Sequence, residues 1–180
     1  MKIINYKSDK SIKKDVTPLY IDAFPEEERP PVNNFYQIGK KDSADIEVYY
    51  TEKDEFIGFT LLTYNRDLLY IFFLAVSPSK RNQGYGSKIL DSIKERFKDK
   101  NILICYEEID DKYDDIELRK RRKKFYNRNG FKDNNLKTFE YGVIYDTCYR
   151  GKHKVSYQEY EDLYLLLFGK EVLKNIHEVK

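Results

Sequence analysis

Leu69-Tyr70-Ile71-Phe72-Phe73-Leu74-Ala75-Val76, continuing through Ser77-Pro78-Ser79-Lys80 into Arg81-Asn82-Gln83-Gly84-Tyr85-Gly86-Ser87, is the passage on which the fold turns. Its first eight residues are apolar or aromatic without a break, as expected of a central strand covered on both faces. Ser77-Pro78 ends that strand, because proline brings no N–H to a ladder. A helix then begins near Gly86, with Ile89, Leu90, Ile93 and Phe97 recurring at helical spacing. A glycine-rich turn between strand and helix is weak evidence by itself. This one lacks the third glycine of a dinucleotide fingerprint and the Gly-Lys-Ser/Thr ending of a P-loop. Its physics still favours an anion: glycines admit a close approach of backbone to ligand, and the first amides of the helix point outward at the positive end of its dipole. A pyrophosphate fits such a cradle.

Upstream, residues 2–7 alternate enough for a short strand, and Thr17-Pro18 has the form of an N-cap with proline in the first turn, predicting a helix over 17–24. Phe24-Pro25-Glu26-Glu27-Glu28-Arg29-Pro30-Pro31 must break it and reads as a rigid, acidic, exposed loop. A second short helix follows over 32–38. Runs at 46–51, 56–64 and 68–76, rich in β-branched and aromatic residues and separated by Lys53-Asp54-Glu55 and Asn65-Arg66-Asp67, predict an antiparallel meander. Downstream, 102–106 reads as the next buried strand. Leu118 and Phe125, seven apart, mark the apolar side of a helix closed by Asn129-Gly130, and 138–149 supplies the last strand material. Ser156-Tyr157-Gln158-Glu159 has the form of a capping box, ahead of a helix with Tyr160, Leu163, Tyr164, Leu167 and Phe168 on its apolar face.

The chain has 180 residues, no internal repeat and no domain-splitting linker, which suits one compact domain. Its 33 basic and 31 acidic residues nearly cancel, for a net charge of +2, so no long-range field argues for nucleic acid or an anionic membrane. The basic run at residues 120–124 is offset by acidic neighbours and has no aromatic stacking motif beside it. Cys105 and Cys148 have no Cys or His near enough in sequence to complete a metal pattern and read as core thiols of a reducing compartment, with no metal expected. Neither a signal-peptide pattern nor a run of about 20 apolar residues occurs, so a soluble, cytoplasmic protein is expected.

Residues 74–90, Leu74-Ala75-Val76-Ser77-Pro78-Ser79-Lys80-Arg81-Asn82-Gln83-Gly84-Tyr85-Gly86-Ser87-Lys88-Ile89-Leu90, resemble the acetyl-CoA signature of the GNAT superfamily, with Arg81, Gly84 and Gly86 on its Gln/Arg-x-x-Gly-x-Gly/Ala core. Lys124-Phe125-Tyr126-Asn127-Arg128-Asn129-Gly130-Phe131 resembles the second signature, a helical Phe-Tyr followed by a Gly-Phe turn. The resemblance implies a GNAT-like α/β (α+β) fold of the bacterial type: a mixed, mostly antiparallel sheet flanked by helices, with splayed central strands and an extra C-terminal helix. Residues 1–150 would form the acyltransferase domain, and 151–180 a helical extension packed on it or at a homodimer contact. It implies further that the main chain of Leu74, Ala75 and Val76 pairs with the pantetheine arm of acetyl-CoA. The amides of Arg81, Asn82, Gln83, Gly84, Tyr85, Gly86 and Ser87 would hold the pyrophosphate.

Attack of an amine on a thioester needs a neutral amine, an oxyanion site and a proton for the departing thiolate. Tyr126 matches the family's proton donor, and a phenol titrating near ~10 carries its proton at neutral pH; the bland account is that it packs beside Phe125. Glu107 and Glu108, ending the strand at 102–106, are the best-placed carboxylates for a base, against solvated strand ends or a water chain. Arg119, Arg122 and Tyr126 share a helical stripe. Arg122 is a candidate for cofactor phosphate, unless the stripe answers Asp110, Asp111, Asp114 and Asp115. The resemblance puts Glu27 and Glu28 beside the acceptor pocket, where they would attract a protonated small-molecule amine, with Tyr36 and Phe24 as apolar walls; an exposed charged loop needs no function. His153 and His177 are isolated. The competing reading from another class is a CoA-binding regulatory module without turnover.

Overall fold

The computed structural model describes residues 1–180, apart from the side chain of Glu27. Eight strands, mostly antiparallel, and five α-helices make the mixed α/β fold that the sequence predicts. The chain divides into two compact units, one of Met1–Tyr64 and Ile71–Arg96, the other of Asn65–Tyr70 and Phe97–Lys180.

The first unit carries β1 (Lys2–Asn5), β2 (Ala44–Tyr50), β3 (Phe56–Asn65) and most of β4 (Leu68–Val76), neighbours in that order. Ile4 lies opposite Val48, and Val48 opposite Phe59, in antiparallel ladders, and β3 is buried at every position from 57 to 63. Helix α1 (Lys13–Ala23) starts earlier than the Thr17-Pro18 pair suggests. A short 3-10 turn at Lys10–Ile12 leads into it, capped by the Asp9 carboxylate on the amide of Ser11, and Asp is a better N-terminal signal than an interior Thr. Thr17 therefore sits inside the helix, its hydroxyl 2.8 Å from that of Tyr36. Phe24 ends α1 in extended geometry, as the following proline requires, and α2 (Val32–Ile38) follows.

An aromatic core fixes these helices to the strands. The ring of Tyr20 stacks on Phe35 at 4.2 Å and meets Phe73 edge-on at 5.4 Å, arrangements worth roughly 0.5–1.5 kcal/mol beyond burial. Helix α3 (Tyr85–Arg96) is tied at its far end by Arg96, whose guanidinium grips buried Glu47 at 2.6 and 2.7 Å. Tyr49 donates to the same carboxylate. β4 departs from the expectation of cover on both faces. Phe73 and Ala75 are buried, whereas Phe72, Leu74 and Val76, on the other face of its C-terminal half, are only part-buried.

The second unit holds β5 (Asn101–Glu107), β6 (Lys132–Glu140), β7 (Val143–Arg150) and β8 (Ile176–Val179), ordered β5-β7-β6-β8. The strand material predicted over 138–149 forms part of a hairpin, β6 and β7. Tyr141 and Gly142 both take positive φ, 49° and 99°, which is the turn geometry that matches strand twist. Helix α4 (Ile116–Arg128) buries none of its residues completely. Ile116, Arg119, Lys120, Arg122, Lys123, Phe125 and Tyr126 are part-sheltered, whereas Leu118 is 46 % exposed rather than in the core. Helix α5 (Tyr157–Phe168) opens on the capping box of Ser156 and Glu159, with both reciprocal bonds formed. The chain does not end in a helix: β8 follows and pairs with β6, Ile176 opposite Glu140.

Among the described residues no helix is long and apolar enough to cross a membrane, and no group of three or more His, Cys, Asp or Glu could hold a metal ion.

Candidate active site

The glycine turn is built as an open cradle. A 3-10 turn at Pro78–Lys80 leaves β4, and the chain reverses through Asn82 at φ 60° and Gly84 at φ 79°. Asn tolerates that left-handed conformation better than other side-chain-bearing residues, and Gly pays no steric cost for it. A Cβ built on Gly84 would meet nothing within 4 Å. The glycine is therefore needed for its backbone angle, and the space beside it is clear. Side chains stiffen the turn: Arg81 Nε donates to Val76 O at 3.0 Å, and Gln83 Nε2 to Ser79 O at 2.8 Å. The first bond of the following helix is Lys88 N–H to Gly84 O at 3.1 Å. Tyr85, Gly86 and Ser87 thus sit in the first turn of α3, where amides lack helical acceptors.

Leu74, Ala75 and Val76 end β4 just before this turn. Gly58, on β3, was not singled out from sequence, yet a Cβ there would fall 2.1 Å from the carbonyl oxygen of Ala75. Only glycine allows β3 to approach the main chain of Ala75 so closely, and the one signal for it was a lone glycine inside a strand pattern.

In the second unit, the Gly-Phe half of the second signature is a helix stop. The amide of Phe131 bonds Tyr126 O at 3.2 Å and that of Gly130 bonds Asn127 O at 3.0 Å, with Gly130 at φ 86°. This is the Schellman arrangement, completed by contact of the Phe131 and Tyr126 rings at 6.2 Å. Tyr126 is thereby fixed through its own carbonyl and ring, with Tyr106 of β5 6.0 Å away on its other flank. Its hydroxyl makes no hydrogen bond among the described residues. Burial pushes the phenol above its usual range, and the Arg122 guanidinium works against that.

Both candidate bases are engaged. Arg122 donates to the carboxylate of Glu107, a residue 8 % exposed, so the structure brings these two candidates together. Glu108 accepts from Lys137 at 2.8 Å and Lys112 at 2.9 Å, which hold its carboxyl below the usual glutamate range. Glu108 therefore remains a carboxylate bound by lysines. Arg119 answers the acidic segment, as the alternative reading had it: Nε bonds Asp115 at 2.7 Å, a terminal nitrogen bonds Glu108 O at 3.0 Å, and the guanidinium lies over the Tyr113 ring.

The proline-rich loop carries a short 3-10 turn at Glu26–Glu28. Arg29 pins it by donating to Phe24 O at 3.0 Å, and Tyr20 by donating to Pro30 O at 2.7 Å. Glu28 is half-buried there, and the side chain of Glu27 lies outside the described residues. Phe24 is half-buried against Phe73, with ring centres 4.5 Å apart. Tyr36 is 4 % exposed, packed against Tyr6 and Phe35, and its hydroxyl lies 2.8 Å from that of Thr17.

The first unit thus carries a glycine turn at the head of a helix that follows a strand, and the second a capped helix bearing Tyr126, within a mixed α/β fold. Residues 44–133, half of the chain, match the family described as Acetyltransferase (GNAT) domain, and the chain belongs to that family of acetyltransferases. No curated protein matches it. A GNAT-family protein from Bacteroides thetaiotaomicron has the same fold at 22 % identity and TM-score 0.76, over 94 % of this chain and 99 % of that one. An aminoglycoside 6'-N-acetyltransferase complexed with coenzyme A aligns at 15 % identity and TM-score 0.65, over 83 % and 96 %. A spermidine N-acetyltransferase variant from Vibrio cholerae aligns at 12 % identity and TM-score 0.62, over 83 % and 92 %.

Proposed function

We propose that this chain is an N-acetyltransferase that moves the acetyl group of acetyl-CoA to a primary amine of a small acceptor by direct attack on the thioester. The observation that carries the reading is the Tyr126 phenol, held by a helix stop, kept protonated by burial and unused by the fold's own hydrogen bonds. In this reading the amides of residues 81–87 hold the pyrophosphate, and the clear space at Gly84 leaves room for it. The main chain of Leu74, Ala75 and Val76 pairs with pantetheine. The neutral amine adds to the carbonyl carbon, and collapse of the tetrahedral intermediate breaks the C–S bond as Tyr126 gives its proton to sulfur. With Glu107 paired to Arg122, the amine's proton passes to water.

Membership of the family supports the acetyl-CoA part. Of the relatives, one acts on an aminoglycoside and another on spermidine, both small amines, and that supports the acceptor class. The acidic turn at Glu26–Glu28 suits a cationic approach to the half-buried ring of Phe24. The protein acts in the cytoplasm in this reading.

Tyr126→Phe tests it, since the change keeps the ring and removes only the acidic proton. We expect kcat to fall by at least about 100-fold with acetyl-CoA Kd unchanged, measured by thiol release and calorimetric titration. An unaltered kcat under conditions where chemistry limits the rate would return Tyr126 to a packing role, and binding without turnover in the parent protein would favour a regulatory CoA-binding module.

A further inference from the structure

We infer that Arg122 is a positioning residue for the proton donor: anchored by Glu107, it keeps positive charge beside Tyr126 and stabilises the phenolate formed as the thiolate departs. The inference rests on the acetyl-transfer reading above and assigns Arg122 a task other than binding cofactor phosphate.

The geometry has three parts. Arg122 and Tyr126 stand four apart on α4, hence on one stripe and as neighbours. Arg122 is aimed by its ion pair with Glu107, the last residue of β5, whose side chain is only 11 % exposed against 37 % for Arg122. Tyr126 is flanked on that side by Tyr106, the residue before Glu107, so β5 orients both the ring and the guanidinium beside it. Groups facing the phenol are Arg122 from α4, Glu107 and Cys105 from β5, and Cys148 from β7. Burial pushes both thiols up, so they stay neutral near neutral pH. Arg122 and Glu107 are then the charged pair acting on Tyr126, with opposite signs.

The charge balance explains why such a pair is useful. When the C–S bond breaks, its electron pair stays on sulfur, the Tyr126 proton moves there, and free thiol leaves. The phenolate that remains is reprotonated from water as the amine's proton enters water. Burial alone makes that phenolate costly. A lone guanidinium would stabilise it but would also lower the proton's retention in the resting enzyme. A guanidinium already paired to Glu107 provides a partly compensated charge that keeps the donor protonated between turnovers.

Two measurements decide the matter. In kinetics, Arg122→Gln should lower kcat about tenfold and leave acetyl-CoA Kd within about twofold. It should add almost nothing to the loss in Tyr126→Phe, while Arg122→Lys should restore part of the rate. A raised Kd with intact kcat would assign Arg122 to phosphate, and an equal loss in both backgrounds would make it structural; either overturns the inference. In spectroscopy, protein carrying 13C-labelled tyrosine, with the Tyr126 resonance assigned from Tyr126→Phe, should show the phenol titrating at higher pH in Arg122→Gln and at lower pH in Glu107→Gln. A resonance that moves in neither variant overturns the inference, with or without catalysis. If the protein turns over no acetyl-CoA, the transfer reading fails, and the titration still decides the pairing.

Discussion

At Gly84 the backbone angle and the empty space separate two demands that sequence could not. A positive φ is required, and an added side chain would meet no protein atom. Forcing an L-residue into that angle costs about 1–2 kcal/mol, and a β-branched residue at the turn would also intrude on the proposed pyrophosphate site. Gly84→Val should therefore raise acetyl-CoA Kd by roughly tenfold or more while the melting temperature of the ligand-free protein falls by only about 2–8 °C, the share that the backbone strain accounts for; calorimetric titration beside a melting curve reads both. A large loss of stability with unchanged affinity would move Gly84 from the site to the scaffold. The Arg81, Gly84 and Gly86 spacing was legible because a glycine turn carries its constraint locally. The Glu107–Arg122 pair was not, because its partners sit 15 residues apart in different elements, and nothing in either run names the other.

Among the elements, α5 shows how the C-terminal segment is held. The hydroxyls of Tyr160 and Tyr164, one turn apart, both donate to the carboxylate of Glu140, the last residue of β6, and Thr138 donates at 3.0 Å. Burial raises this carboxyl while the hydroxyls oppose the shift. A raised acid favours the folded state below its unfolded value, and that contribution is lost as pH rises through the folded value. Glu140→Gln should thus gain on the parent protein, in melting temperature, as pH rises from about 4 to about 7; a difference that does not vary with pH would mean the carboxyl is not perturbed. Tyr164→Phe should destabilise by about 1.5–3 kcal/mol in denaturant unfolding, the range for a hydrogen bond to a charged group. Tyr160 and Tyr164 were legible as an apolar stripe, but their hydroxyl partner was not. Likewise β8 is four residues, too short for a pattern, and exists because β6 offers an edge. Leu118 misled because spacing fixes which residues share a stripe, not which stripe is buried.

Across the whole molecule, the strands whose bounds read cleanly were continuous runs of apolar and β-branched residues: β4 spans 68–76 as predicted, and β3 exceeds its predicted run by one residue. Boundaries drifted where a local cap or turn sets them, as with Asp9 starting the helical run ahead of α1 and Tyr141-Gly142 turning the chain between β6 and β7. Net charge near zero carried little structural information but fits a small acceptor, since no extended field is present to steer a polyanion. Acetyl transfer to such an acceptor is the activity proposed for the chain. Its most direct test is the initial rate of thiol release from acetyl-CoA by the purified full chain over a panel of polyamines, aminoglycosides and aryl-alkyl amines, with mass spectrometry of the amine products. An acetylated amine formed in a one-to-one ratio with free CoA is expected for at least one class, at a kcat/KM that rises with pH as the amine loses its proton. Binding of acetyl-CoA with no acetylated product from any amine would contradict it.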